Sequence, residues 1–447
     1  MRKILIILSC CAALITTGCT GDSSRPVATG EGIIRSINAI PTAPSILSLI
    51  EERLLGNIDY SNMSAPARFD DLSYLFNYEV TFGGDILRTR IATNDLKVER
   101  DFQYTIVLTG DLTAPDLTTW EKPIREWEGT ETVFEAQFAH TAESLGPIDV
   151  YFAAPGVAPA VGAEVGTLSF GEILPVADYA AGDYVVIATT AGNPGDVIFT
   201  SVTVTPVVAN GFIISIFDAT ANDTGDYLFR IFTDDGANNT LFSPDILPTA
   251  RFIHANATLG NADIYNDELL TNLLVPNHAF RDVTGDIELA PQVYPFTYTA
   301  AGNAGTILVE QDLIIAGASP IEVYLLGDDA TPGVLSRLPD RRPVETEVKF
   351  NFLHAAVNHP IVDVYVVGAG TGIEDVNPLY FNLIPGQFPP TSSPGIGALE
   401  IYMTVAGEKT VIAGPVAAPM NFGEVLDYIS YDNVDPATAD IVLIPLP

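Results

Sequence analysis

Three histidine–aspartate pairs carry the clearest chemical potential in this chain. His140 stands nine residues before Asp149, His254 nine before Asp263, and His354 nine before Asp363, with Tyr151, Tyr265 and Tyr365 two residues after each aspartate. A histidine with a carboxylate partner is half of a nucleophilic triad, and equally a metal-ligand pair. Recurrence at one register argues for a different role, because chemistry is usually concentrated in one site whereas a pair present in every unit is part of the fold. By the two-residue strand period each Asp shares a face with its Tyr, and each His shares a face with the Phe two residues before it, Phe138, Phe252 or Phe352. The expectation is a structural cross-strand His–Asp hydrogen bond beside a packed Tyr, since buried polar groups take partners.

Asp-rich turns offer a second chemistry. Asp218, Asn222, Asp223 and Asp226 lie in one turn and Asp328-Asp329 in another, with Asp234-Asp235 and Asp432 with Asp435 elsewhere. Carboxylate and amide oxygens in such number suit Ca²⁺, which takes six to eight oxygen ligands, although none of these segments has the twelve-residue calcium-loop spacing. Asp and Asn also make turns with no ion at all. No Gly-x-Ser-x-Gly elbow, His-Glu-x-x-His, phosphate loop or paired-Cys zinc pattern occurs. Gly368 to Gly372 lacks dinucleotide-loop spacing and reads as a hairpin tip, and His278 and His359, which have no repeated counterpart, read as exposed loop residues. No catalytic residue and no cofactor is assigned, with calcium left open.

The elements that must hold these residues repeat as well. After each Asp-Val/Ile-Tyr comes an alternating run that closes in Ala191-Gly192, Ala301-Gly302 or Ala406-Gly407, and then an apolar strand that ends in Asp218, Asp328 or Asp432. The step from Gly to Asp is 26, 26 and 25 residues. A more divergent copy precedes them: Ile34-Arg35-Ser36-Ile37-Asn38 puts Asn38 where the others have His, and Gly84 to Asp111 spans 27 residues. Four tandem units follow, at 31–128, 129–247, 248–343 and 344–447. A period of about one hundred residues is too long for a solenoid that shares one core and suits an independent sandwich. Short Val-, Ile-, Tyr-, Phe- and Thr-rich runs between Gly, Pro, Asn and Asp turns predict an all-β chain of immunoglobulin-like antiparallel β-sandwiches, arranged as beads on a string.

Composition bounds the function. Of the 447 residues 47% are hydrophobic and only 17% charged, with 36 Gly and 32 Pro, which is the balance of turn-rich folded domains. The formal charge of −36 would repel a phosphate backbone, so nucleic acid is not an expected partner. At the N-terminus, Met1-Arg2-Lys3 and the apolar run Ile4 to Ile15 have the form of an export signal at 1–18, too short to span a bilayer as a mature helix. All three cysteines, Cys10, Cys11 and Cys19, lie in or beside that signal, so a chain starting at Cys19 holds no internal disulfide. Residues 19–30 read as a tether.

Thr16-Thr17-Gly18-Cys19 resembles the lipobox of bacterial lipoproteins. That resemblance implies an acyl lipid such as palmitate on Cys19, membrane attachment through it and, with Thr20 rather than Asp next, an outer-membrane address. The aromatic-led strands into His254-Ala255 and His354-Ala355, the Asp-Val/Ile-Tyr step and the strand into Ala-Gly are similar to the bacterial repeat family called domain of unknown function 4397. The family implies exported or surface-anchored tandem sandwiches with no established activity. The function expected is therefore a non-enzymatic, lipid-anchored envelope protein acting as a stalk or binding array for an envelope or extracellular ligand. The alternative is a secreted or surface hydrolase acting on carbohydrate through loop carboxylates.

Overall fold

Runs of β-branched and aromatic residues punctuated by Gly, Pro, Asn and Asp favour strands over helices. In the computed structural model, which describes residues 27–83, 88–433, 435 and 437–444, strands are the regular element and no helix occurs among the described residues. The export signal and Cys19 lie outside the described residues.

The first unit contains β1 (Glu31–Asn38), β2 (Ile46–Ile50), β3 (Arg53–Ile58), β4 (Ala67–Asp70), β5 (Ser73–Thr81), β6 (Arg88–Lys97), β7 (Phe102–Thr109) and β8 (Asp116–Pro123). They form two sheets, ordered β4-β1-β7-β8 and β3-β2-β5-β6. The second unit has β9 (Val133–His140), β10 (Ile148–Ala153), β11 (Gly166–Leu168), β12 (Ala177–Ala180), β13 (Val185–Thr190), β14 (Val197–Thr200), β15 (Gly211–Asp218), β16 (Tyr227–Thr233) and β17 (Asn238–Leu241), and keeps the order as β12-β9-β15-β16-β17 over β11-β10-β13-β14.

The third unit runs through β18 (Thr249–His254), β19 (Ala262–Tyr265), β20 (Leu273–His278), β21 (Ile287–Glu288), β22 (Gln292–Ala300), β23 (Asn303–Ile315), β24 (Ile321–Gly327) and β25 (Pro332–Arg337), ordered β21-β18-β24-β25 over β20-β19-β22-β23. The fourth has β26 (Lys349–His354), β27 (Val362–Gly368), β28 (Tyr380–Leu383), β29 (Gly397–Val405), β30 (Val411–Met420), β31 (Val425–Asp432) and β32 (Ala439–Ile444), ordered β26-β31-β32 over β28-β27-β29-β30. Here a single bridge from Phe350 to Ser392 replaces the fourth strand.

Each pair of sheets closes on its own apolar core, with Phe76 and Ile106 in the first unit, Phe138 and Val150 in the second, Phe252 and Phe296 in the third, and Phe352 and Met403 in the fourth. The chain is all-β with repeated two-sheet units. Two particulars depart from the immunoglobulin-like antiparallel expectation. An immunoglobulin sandwich puts its first, second, fourth and fifth strands together and its third, sixth and seventh opposite, whereas here the second, third, fifth and sixth share a sheet and the first, fourth, seventh and eighth face them. The first strand also runs parallel to the seventh, in β1–β7, β9–β15, β18–β24 and β26–β31. Alternation in the sequence fixes which face a residue takes, and it leaves open which strand arrives alongside after a crossover.

The units are not beads on a string. The outer faces of the first sheets of units one and two pack on each other through Ile37, Val107, Trp120, Ala139, Ile213 and Phe217. Units three and four do the same through Ile253, Tyr324, Leu353, Ile429 and Tyr431. The residue just before the landmark Asn or His, namely Ile37, Ala139, Ile253 or Leu353, lies in these contacts in every unit. Strands buried on both faces read as continuous apolar runs, and Phe212-Ile213-Ile214-Ser215-Ile216-Phe217 of β15 is one.

Charges are buried at both junctions. Arg35 lies 3.3 Å from Asp234 of the second unit, Lys122 2.7 Å from the same carboxylate, and Gln103 donates to it at 3.0 Å. Burial lowers the Arg35 pKa to about 10, with Asp234 opposing the fall. In the other pair Arg337 bridges Glu322 at 2.8 Å and Asp427 of the fourth unit at 2.9 Å. The two pairs also meet: Arg342 donates to the Pro41 and Ala43 carbonyls, and Gly83 N–H to Thr346 O at 2.6 Å.

Candidate functional site

The repeated landmarks form one structural node per unit, built from two halves. The histidine ends the first strand on its core-facing side, with no exposed surface at His140, His254 or His354. Its Nε2 reaches the carbonyl of the loop that follows, Gly146 at 3.0 Å, Gly260 at 2.8 Å and His359 at 2.7 Å. In the first unit the Asn38 amide does the same work, donating to Pro44 O at 3.4 Å and Ile58 O at 3.1 Å. Burial lowers the pKa of all three histidines, in His354 to about 4, so the rings are neutral and Nε2 is the donor.

The aspartate lies in the opposite sheet and ties its second strand to the Ala-Gly turn. Asp149 accepts Gly192 N–H at 2.7 Å, Asp263 accepts Gly302 N–H at 2.7 Å, and Asp363 accepts Gly407 N–H at 2.8 Å. The other oxygen holds the third strand: Thr167 Oγ1 at 2.5 Å, Asn277 N–H at 2.7 Å, and Asn382 N–H at 2.8 Å. The glycines have φ of 75°, 73° and 74°, a left-handed conformation that favours glycine, so the landmark is set by backbone geometry.

The expected His–Asp bond is therefore corrected. His shares the inward face of its Phe, and Asp shares a face with its Tyr, but Ile148, Val150 and Phe152 point into the core and leave Asp149 and Tyr151 on the outside of their sheet. The same holds for Asp363 and Tyr365. The two residues lie on consecutive strands of different sheets, on opposite sides of one layer, and do not meet. The tyrosines are packed as expected, Tyr151 against Val185 and Ile187, Tyr265 buried, and Tyr365 under the Lys409 ammonium at 4.3 Å. His278 and His359 are also corrected: both are buried, and the His278 ring lies 5.8 Å from that of His254. Burial, with His254 adding to it, lowers the His278 pKa to about 4.

The Asp-rich turns use their oxygens internally. Asp218 accepts Glu143 N–H at 2.8 Å, fastening the loop after His140, and Asp432 accepts Val357 and Asn358 N–H at 2.9 Å in the same way after His354. In the third unit Asn256 takes that role, and Asp328 instead accepts Thr331 N–H at 2.7 Å and Ala330 N–H at 3.1 Å within its own turn. Asp223 caps Thr220, and Asn222 joins Asp340 to the backbone of Arg341 and Arg342. Asp226 and Asp329 enter these turns through their backbones. Among the described residues no group of three or more His, Cys, Asp or Glu is placed to share a metal ion.

A concave feature also lies outside the repeated node. A cleft of about 790 Å³ between the second and third units is lined by Asp223, Asp245, Asp286 and Glu288 around Ile246 and Leu247. Arg341, buried at its floor, neutralises Asp286 at 3.2 Å and reaches Glu322 at 3.3 Å. Sequence reasoning did not single out this cleft, because its carboxylates come from two units and meet only through their packing.

No family model and no curated protein matches the chain. Among solved structures, the Bacillus anthracis TIE protein is similar at 10% identity, with 90% of this chain and 69% of that chain covered and a TM-score of 0.16.

Proposed function

We propose that the chain is a non-enzymatic, lipid-anchored envelope protein, attached to the outer membrane through Cys19, whose packed sandwich units serve as a rigid binding scaffold for an envelope or extracellular ligand. The observation that carries this reading is the use made of the repeated polar residues. Every His and Asp of the motif is buried and bonded to the unit's own backbone or side chains, which leaves the repeats as fold-forming modules in the manner implied by the resemblance to domain of unknown function 4397. The lipobox-like Thr16-Thr17-Gly18-Cys19 supports the anchor. Cys19→Ser tests it: the variant should accumulate as unlipidated precursor or soluble protein, and unchanged lipidated, detergent-phase protein would overturn the anchor. Capture from envelope extracts on the chain from Gly21 onward tests the scaffold.

A hydrolase acting on carbohydrate is the second reading, and one observation favours it: the carboxylate-lined cleft between units two and three has no equivalent in the repeated node. Release of reducing ends from envelope polysaccharide, abolished by Asp245→Asn or Glu288→Gln, would establish that reading in place of the first.

A further inference from the structure

The sixth strand of each unit is an outer edge of its second sheet, and an edge presents unpaired N–H and C=O groups that can take another strand. Three of these four edges carry a feature that blocks such pairing. β6 carries the cations Arg88, Arg90 and Lys97, β14 is only four residues long, and β30 contains Pro415 and Pro419. β23 has none of them. It is thirteen residues long with no Lys, Arg or Pro, and no strand pairs with its outer side among the described residues. From Val309 to Ile315 its register with β22 is unbroken, the shifts being confined to the turn-proximal end.

The side chains along that stretch define what would fit. Val309, Leu313 and Ile315 pack on the core, so Glu310, Asp312 and Ile314 point to the outer face. Ile314 is 73% exposed and its cross-strand neighbour Val293 57% exposed. Glu310 and Asp312 form no ion pair among the described residues.

We propose that β23 is a docking edge that accepts an extended strand from a partner protein, with cationic residues at two alternate positions and an apolar residue at the third. Main-chain hydrogen bonds to β23 supply pairing, and alternate side chains supply selection. The cations lie beside Glu310 and Asp312 and the apolar residue beside Ile314, at the close spacing of directly opposed pairs. A second copy of this chain is the poorer occupant, since two acidic edges would face each other on a protein of charge −36. The inference deepens the scaffold reading by naming the partner's chemistry, and rests on it only in treating the protein as a binder.

The test uses the full chain and a short synthetic peptide that alternates threonine with arginine, arginine and leucine. Titration by fluorescence anisotropy should show saturable, salt-sensitive binding, and hydrogen exchange should show new protection confined to Asn303–Ile315. Glu310→Lys with Asp312→Lys leaves the buried face of β23 untouched, so the fold is retained. It should weaken binding by about tenfold or more, and an otherwise identical peptide with glutamate in place of arginine should recover it. Binding unaffected by the charge exchange, protection elsewhere, no binding, or concentration-dependent protection of β23 without peptide would each overturn the proposal. A carbohydrate-hydrolysing activity would sink the scaffold reading while leaving the peptide result at β23 standing, so the two failures are distinguishable.

Discussion

The Asp363 carboxylate accepts the N–H of Gly407 at 2.8 Å across 44 residues of chain, while its other oxygen accepts Asn382 N–H at 2.8 Å. One side chain thus fixes the second strand of the unit to both its third strand and the turn after its fifth. Asp149 and Asp263 make the same pair of attachments.

Asp363→Ala should destabilise the fourth unit by about 1–3 kcal/mol, because it leaves two N–H donors without their acceptor. His354→Ala should cost a similar amount by freeing the His359 carbonyl. The two residues occupy different sheets, which lie roughly 10 Å apart, and share no bonded partner. The double mutant should therefore equal the sum of the singles to within about 0.5 kcal/mol. Denaturant melts of the four proteins measure this, and a clear shortfall from additivity would restore a direct His–Asp coupling.

Acid sensitivity should begin in the histidines. His354 and His278 have folded pKa values lowered from 6.5 to about 4 by burial, so between those values the unfolded chain binds the extra protons. Stability is full above the unfolded pKa and falls as pH drops from about 6.5 toward 4, with a limit on the order of 3 kcal/mol per fully neutral site. Asn38 fills the landmark position of the first unit without titrating. His354→Asn should keep the loop bond and flatten the pH dependence of the fourth unit, and an unchanged slope would assign it to other groups.

Asp234→Ala should be among the more damaging single changes, at about 3–5 kcal/mol, because it takes the carboxylate partner from the buried Arg35 and leaves the buried Lys122 only the longer contact to Glu135 at 3.6 Å. The effect should appear in the melting of units one and two together, and calorimetry should leave the transition of units three and four in place. Loss confined to one unit would contradict the face-to-face packing.

Chelation followed by millimolar Ca²⁺ should leave the melting midpoint unchanged. Asp218 and Asp328 already accept the N–H groups of Glu143, Thr331 and Ala330, and an ion would have to displace those bonds. A raised midpoint would show a ligand held by the folded state alone.

Much of this architecture was legible in the sequence, for reasons that individual residues make plain. The Asp263 and Gly302 landmarks were aligned from spacing alone, and they are bonded partners. The assignment of His to the Phe face and Asp to the Tyr face was also correct. What the two-residue period could not supply is which of two faces is the core, so His140 and Asp149 were joined across a layer that separates them. The face-to-face packing does carry a signal in the sequence. Ile213 and Phe217, set between the core residues Phe212, Ile214 and Ile216, left β15 no polar face to turn to water. The carboxylate cleft had no such signal, because Asp245 and Glu288 meet only after two units have docked.

Arg35 and Arg251 stand three residues before Asn38 and His254, whereas Gln137 and Asn351 occupy that position before His140 and His354. The guanidinium thus belongs to the leading member of each face-packed couple and the amide to the trailing member. The couple is thus the smallest length by which such a chain can be cut without harm, since loss of one unit would leave a sheet such as that of Ile213 and Phe217 with its apolar side bare.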